Sequence, residues 1–160
     1  MRLRLLAASA LVLTAVAAAA PAQAQQQQQP TYLDIAAVVN ARQDTMKAMN
    51  RAMKELAAMI EENQNFDAAR VAELAGVIQD NTARIPHQFP QGSLIPGSEA
   101  TKDVWEDPEA FAERSRDANV AAEALADRAS LVEDADGLRR AFKDVALSCR
   151  ACHRTYRKPF

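Results

Sequence analysis

The sequence predicts an all-α fold, an antiparallel up-down-up-down four-helix bundle, and three observations lead there. Alanine is abundant, while glycine (4 residues) and aromatics (5%) are scarce, which suits helices and argues against a sandwich or barrel. Four segments space their apolar residues by alternating threes and fours, a helical rather than a strand period. The connections between them run short, long, short, and short links make antiparallel neighbours.

Residues 1–24 precede the bundle and read as a secretory signal. Arg2 and Arg4 give a positive start, Leu5 through Ala20 is apolar but for Ser9 and Thr14, and Ala22-Gln23-Ala24 supplies a small-x-small cleavage site. The apolar run is shorter than the ~20 residues of a membrane-spanning helix. Residues 25–30 form a polar, disordered tether containing Gln25 to Gln29, and residues 31–160 form one helical domain. Removing Arg2 and Arg4 leaves 17 basic against 21 acidic residues, a formal charge of −4. That balance implies no broad basic surface for nucleic acid.

The first helix starts at Thr31, with Thr31 and Asp34 spaced as a capping box, and runs to about Glu62. Its seam is Val39, Met46, Met49, Met53, Leu56 and Ile60, with Arg42 lying among them. The second helix takes Asp67 as N-cap, carries Val71, Leu74, Val77/Ile78 and Ile85, and is closed by Pro86. A long segment rich in Pro and Gly, residues 86–106, must cross one end of the bundle, pinned by Phe89, Leu94, Ile95 and Trp105. Asp107-Pro108 opens the third helix as N-cap and first-turn proline. It runs through Phe111, Ala118, Ala122, Leu125 and Ala129 to about Leu131, and its alanines either leave room for a flat ring or serve simply as good helix formers. The fourth helix opens around Asp134 to Asp136 and carries Leu138, Phe142, Val145, Cys149, Cys152 and Tyr156 on its core face.

Cys149-Arg150-Ala151-Cys152-His153 is a Cys-x-x-Cys-His run, the attachment signature of a c-type haem. On a helix the three side chains face one way. Two thiols can then add to the two vinyl groups of the ring, and the adjacent imidazole reaches the iron. A zinc site would need about four ligands, and the chain offers no further cysteine and only His87 besides His153. A thioredoxin-like pair would need a βαβ context, which is absent from the pattern. Export fits as well: in an oxidising compartment haem capture occupies both thiols. A bacterial periplasm is the expected location. Arg150, Arg154, Arg157 and Lys158 cluster at the C-terminus without an acidic residue among them. They read either as a solvated helix end complementing the macrodipole or as a positive rim that steers an acidic redox partner.

The chain resembles the class II c-type cytochromes, and within them the cytochrome c′ family. The resemblance rests on Arg42-Gln43-Asp44-Thr45-Met46-Lys47-Ala48-Met49, Phe89-Pro90-Gln91-Gly92 with Pro96-Gly97, and Val104-Trp105 with Asp107-Pro108 and Phe111. It continues through Ala141-Phe142, Ser148 to His153 and Tyr156-Arg157. The family's bundles, cytochrome c′ among them, are up-down-up-down. The resemblance implies one covalent haem c, with Cys149 and Cys152 as thioether attachments and His153 as axial iron ligand. It places Arg42 near a haem propionate, Gln43 and Glu99 beside the haem, and Arg157 over the proximal side.

Met46 faces the distal side in this scheme. As a crowding apolar group it leaves a five-coordinate iron that binds NO or CO. As a sixth ligand it makes a low-spin electron carrier. Both readings stand at the sequence level. Homodimers through the first two helices are also known among such relatives. The sequence shows no nucleophile–base–acid constellation, with His87 alone in a loop, so no enzyme activity is expected.

Overall fold

A computed structural model describes residues 32–61 and 65–159, with no account of the side chains of Tyr32 and Leu33. The expected signal, the tether, Thr31 and Glu62 lie outside the described residues. The helices are α1 (Tyr32–Ile60), α2 (Ala68–Arg84), the single turn α3 (Asp103–Glu106), α4 (Pro108–Ala129) and α5 (Arg139–Tyr156).

Side-chain caps set two of the starts. The Asp67 carboxylate accepts from Arg70 N at 3.0 Å to open α2, and that of Asp107 accepts from Ala110 N at 3.1 Å to open α4. Each satisfies a backbone donor that the first helical turn leaves over. Pro86 does not stop the chain abruptly; α2 tightens into a 3₁₀ turn over Ile85–Gln88. The fourth long helix begins later than expected. Gly137 N donates to Asp134 Oδ1 at 3.1 Å, a local turn that competes with helix, and α5 starts only at Arg139.

Helix packing joins α1 to α2, α2 to α4 and α4 to α5, while no comparable packing closes the ring between α1 and α5 among the described residues. The larger core cluster holds Leu56, Ile60, Val71, Leu74, Ile78, Leu125, Leu138 and Val145. A second, more aromatic cluster sits at the other end, built from Met49, Ile85, Val104, Phe111 and Tyr156 with Phe89 and Trp105 against it.

Two expectations about packing are corrected. On α1 the buried stripe passes through Ile35, Val39, Arg42, Thr45, Met49, Ala52 and Leu56, while Met46 and Met53 lie at its edge, half-buried. At 3.6 residues per turn the drift of the stripe shifts burial by one position, and the small Thr45 and Ala52 permit the close approach of a neighbour. The alanines of α4 do not make room for a ring. Ala118, Ala122 and Ala129 are buried, and the last two belong to the larger cluster.

In the long loop, Gly92 (φ 80°) and Gly97 (φ 87°) take left-handed turns that a side chain would strain. Leu94 is exposed, and Val104, Ser93 and Ser98 are the buried anchors in its place. No helix among the described residues is long and apolar enough to cross a membrane.

Candidate functional site

Where α1 and α5 fail to close the ring, a cavity of about 510 Å³ opens. One wall is α1, through Arg42, Gln43, Met46, Lys47 and Asn50, and the other is α5 and its C-terminal extension, through Cys152, His153, Tyr156 and Arg157. Ile85, Phe89, Ala100 and Phe111 make the apolar floor, and Glu99 stands at the rim. Seven of the eight residues singled out in the sequence thus meet at one cavity. Cys149 is the exception: it sits one turn earlier, packed against the larger core cluster.

Arg42 is buried at 4% exposure, so its charge does not reach out to water. Its NH1 donates to Ser93 Oγ at 2.8 Å, and its NH2 donates to Ser93 O at 2.9 Å and to Ser98 Oγ at 2.6 Å. A longer contact of 3.4 Å reaches Gln88 O. The guanidinium carbon lies 4.7 Å from the Phe89 ring centroid and 5.8 Å from that of Trp105. All four acceptors are uncharged, and burial lowers the pKa of the group from its ordinary value. Arg42 therefore ties the loop to α1. Beside it, Gln43 Nε2 donates to Gly97 O at 2.9 Å.

The loop is fastened again at the far wall. Thr101 N donates to Tyr156 O at 3.0 Å, Lys158 N to Glu99 O at 2.8 Å, and Thr101 Oγ1 to Thr155 O at 3.0 Å. Ala100 and Arg157 form an antiparallel bridge. The Arg157 guanidinium holds Glu99 Oε2 at 3.1 Å, and Lys158 Nζ donates to Ser98 O at 2.8 Å. Two of the four clustered cations are thereby turned toward the loop. Aromatic rings stack beneath: Phe89 meets Phe111 at 4.9 Å and Phe111 meets Tyr156 at 5.1 Å, both edge to face. Trp105 Nε1 donates to the carbonyls of Phe89 and Pro90, each at 3.1 Å, which fixes it as an anchor of the loop.

The donor set on α5 consists of two half-buried thiols, neither in a disulfide, and an imidazole on the cavity wall. Burial pushes the Cys152 thiol up to about 11, with Cys149 adding to the rise and Arg114 opposing it. Burial likewise raises Cys149, against a hydrogen bond from Ser148. His153 is open to solvent on one side and backs onto the cavity on the other. Its pKa is lowered, first by desolvation and then by the Arg157 cation, with Glu99 opposing. An imidazole and one thiol on the cavity wall, with a second thiol one turn earlier on the same helix, fit a covalently held haem.

Reasoning from sequence missed Ser93 and Ser98 as partners of Arg42, and Ala100 and Thr101 as the segment that pairs with the C-terminal extension. These bonds join residues 51 to 60 positions apart, and no periodicity or spacing marks them.

A family model described as Cytochrome C′ matches residues 37–157. Cytochrome c-556 of Agrobacterium fabrum is 35% identical over 122 residues, covering 76% of this chain and 82% of that protein. Cytochrome c prime from Shewanella frigidimarina is structurally similar, with a TM-score of 0.74 at 25% identity over 81% of this chain and 100% of the other. A nitric oxide complex of a leucine-to-isoleucine variant of cytochrome c prime from Alcaligenes xylosoxidans has a TM-score of 0.71 at 27% identity, over 78% and 97% of the two chains.

Proposed function

Because the chain belongs to the cytochrome c′ family, as a c-type haem protein, we propose that Cys149 and Cys152 carry the haem as thioethers and that His153 is its axial iron ligand. The single observation behind this reading is the cavity between α1 and α5, with Cys152 and His153 on one wall and Met46 on the other. When bound, the haem supplies an iron centre for one-electron exchange and for binding NO or CO. The chain's own residues set the conditions. Ile85, Phe89, Phe111 and Tyr156 give an apolar surround, which disfavours water at the metal. Arg42 holds the loop that floors the cavity, and Gln43, Glu99 and Arg157 border the opening, where the polar edge of a haem is best accommodated. The nitric oxide complex of the Alcaligenes variant supports the reading that this chain binds such a gas. The protein acts in the periplasm as an electron carrier or gas-binding module rather than an enzyme. Its redox partner is acidic if the basic C-terminus steers it. A homodimer is a further assembly state of this reading.

A second reading is favoured by one position. Met46 is half-buried and lines the cavity wall facing α5, where a thioether can serve as second axial ligand and close the iron to gases. Optical spectra of the holoprotein separate the two. A high-spin spectrum that changes on NO addition supports the open iron. A low-spin spectrum with a sulfur–iron charge-transfer band, lost in Met46→Ala, overturns it in favour of the closed one.

A further inference from the structure

The outward face of α5 carries a stripe that the haem site does not use. Arg140, Lys143, Leu147, Arg150 and Arg154 recur at spacings of three and four and are all exposed, Leu147 at 49%. At about 100° per residue they occupy one narrow strip, on the opposite side of the helix from Cys149, Cys152 and Tyr156. The one acidic residue of α5, Asp144, is exposed at the edge of the strip and lines the groove against α4 together with Arg140, so Lys143, Leu147, Arg150 and Arg154 form its outward part. Arg157 and Lys158 are excluded from the strip, because they bind Glu99 and Ser98.

This strip stands against the rest of the molecule. Residues 139–160 hold seven basic side chains and one acidic, a net +6, while residues 25–138 hold ten and twenty, a net −10. In a chain that is acidic overall, the positive charge is thus gathered in the segment that bears the Cys-x-x-Cys-His run. Complementing the α5 macrodipole needs only the cations of the last turn. Arg140 lies in the first turn of α5, where the dipole disfavours it, and Lys143 lies beyond the reach of either end, so the dipole does not explain the strip.

We infer that the outer face of α5 is the docking surface for an acidic redox protein, a proposal that rests on the electron-transfer reading above. The strip has the composition of such a contact: exposed cations around one apolar side chain, Leu147, with charge complementarity to orient the encounter. A partner seated there is separated from the cysteine-bearing face only by the thickness of one helix, about 10–12 Å with side chains.

The test uses ferric holoprotein with its covalent haem verified by absorbance, and reduced flavodoxin as a defined acidic electron donor. The second-order rate of reduction is measured by stopped flow from low to high ionic strength. Lys143→Glu and Arg154→Glu are compared with Arg84→Glu, which makes the same change in net charge at an exposed position on α2. At low salt each α5 reversal slows reduction by about fivefold or more, while Arg84→Glu stays within about twofold, and all rates converge near ~0.5 M salt. Equal slowing by Arg84→Glu, or no slowing by either α5 variant, overturns the inference. So does binding to phosphatidylglycerol vesicles that both α5 reversals abolish while leaving the flavodoxin rate intact, since the strip would then be a lipid surface. A preparation lacking covalent haem defeats the underlying haem reading instead and is detected before mixing.

Discussion

Replacing Arg42 by methionine keeps most of the alkyl stem and deletes only the guanidinium. Three hydrogen bonds of 2.6–2.9 Å are lost; the 3.4 Å contact to Gln88 O is too long to count for much. A hydrogen bond to a charged group contributes roughly 1.5–3 kcal/mol net, so three suggest about 5–9 kcal/mol if they were additive. Against this, the variant no longer bears the desolvation cost of a buried cation, which is on the order of several kcal/mol. It does leave Ser93 O and Ser93 Oγ short of a donor, at about 1–3 kcal/mol each if water cannot reach them, while Ser98 Oγ keeps the Ala100 amide. The balance is a loss of at least about 2 kcal/mol, concentrated in the loop. Urea denaturation of the holoprotein should show the loss. Hydrogen exchange should show it preferentially at the amides of Ser93, Ser98 and Ala100, whose acceptors lie within the loop. A loss under about 0.5 kcal/mol, with loop protection unchanged, would refute the role given to Arg42 as the tie between α1 and the loop.

Other perturbations probe the frame and its charges. Ala122→Leu forces three extra carbons into a fully buried position of the core and should cost about 1–3 kcal/mol by overpacking, read as a lower urea midpoint. Asp107→Ala removes the cap of α4 and should cost about 1 kcal/mol in the same assay. The Glu55 carboxyl is held below its ordinary 4.5, first by the hydrogen bond from Arg70, with desolvation opposing and the Arg70 charge adding. Its folded pKa is depressed, so the pair's contribution is present above pH 4.5 and is lost as pH falls through the lower folded value. An NMR titration should find that lowered midpoint and see it return to the ordinary range in Arg70→Ala.

The helices were legible because their signals are local. Asp67 and Asp107 announce their caps within three residues, and the seams of α2 and α4 need only the helical period. The Cys-x-x-Cys-His run carries its chemistry in five consecutive positions. Illegible were the features made by remote pairing. Nothing near Arg42 in the chain shows that its guanidinium meets two serines of the loop, or that residues 98–101 zip against 155–158. The choice between Met46 and Thr45 for the buried stripe turns on less than one residue of helical rotation, finer than the apolar pattern resolves. The alanines of α4 misled for a related reason: a small side chain permits either a cavity or a close helix approach, and only the neighbour decides. The split of charge between residues 25–138 and 139–160 was countable from the start, but its concentration on one outward strip required knowing which face of α5 is buried.

Intact-mass spectrometry of the mature protein, produced in a host with haem-attachment machinery and extracted with acidified acetone, tests the covalent haem most directly. The expected result is the polypeptide plus one haem that survives extraction, reduced to polypeptide alone when Cys149 and Cys152 are both changed to alanine. Recovery of the unmodified chain at its polypeptide mass alone, from the same competent host, would contradict it.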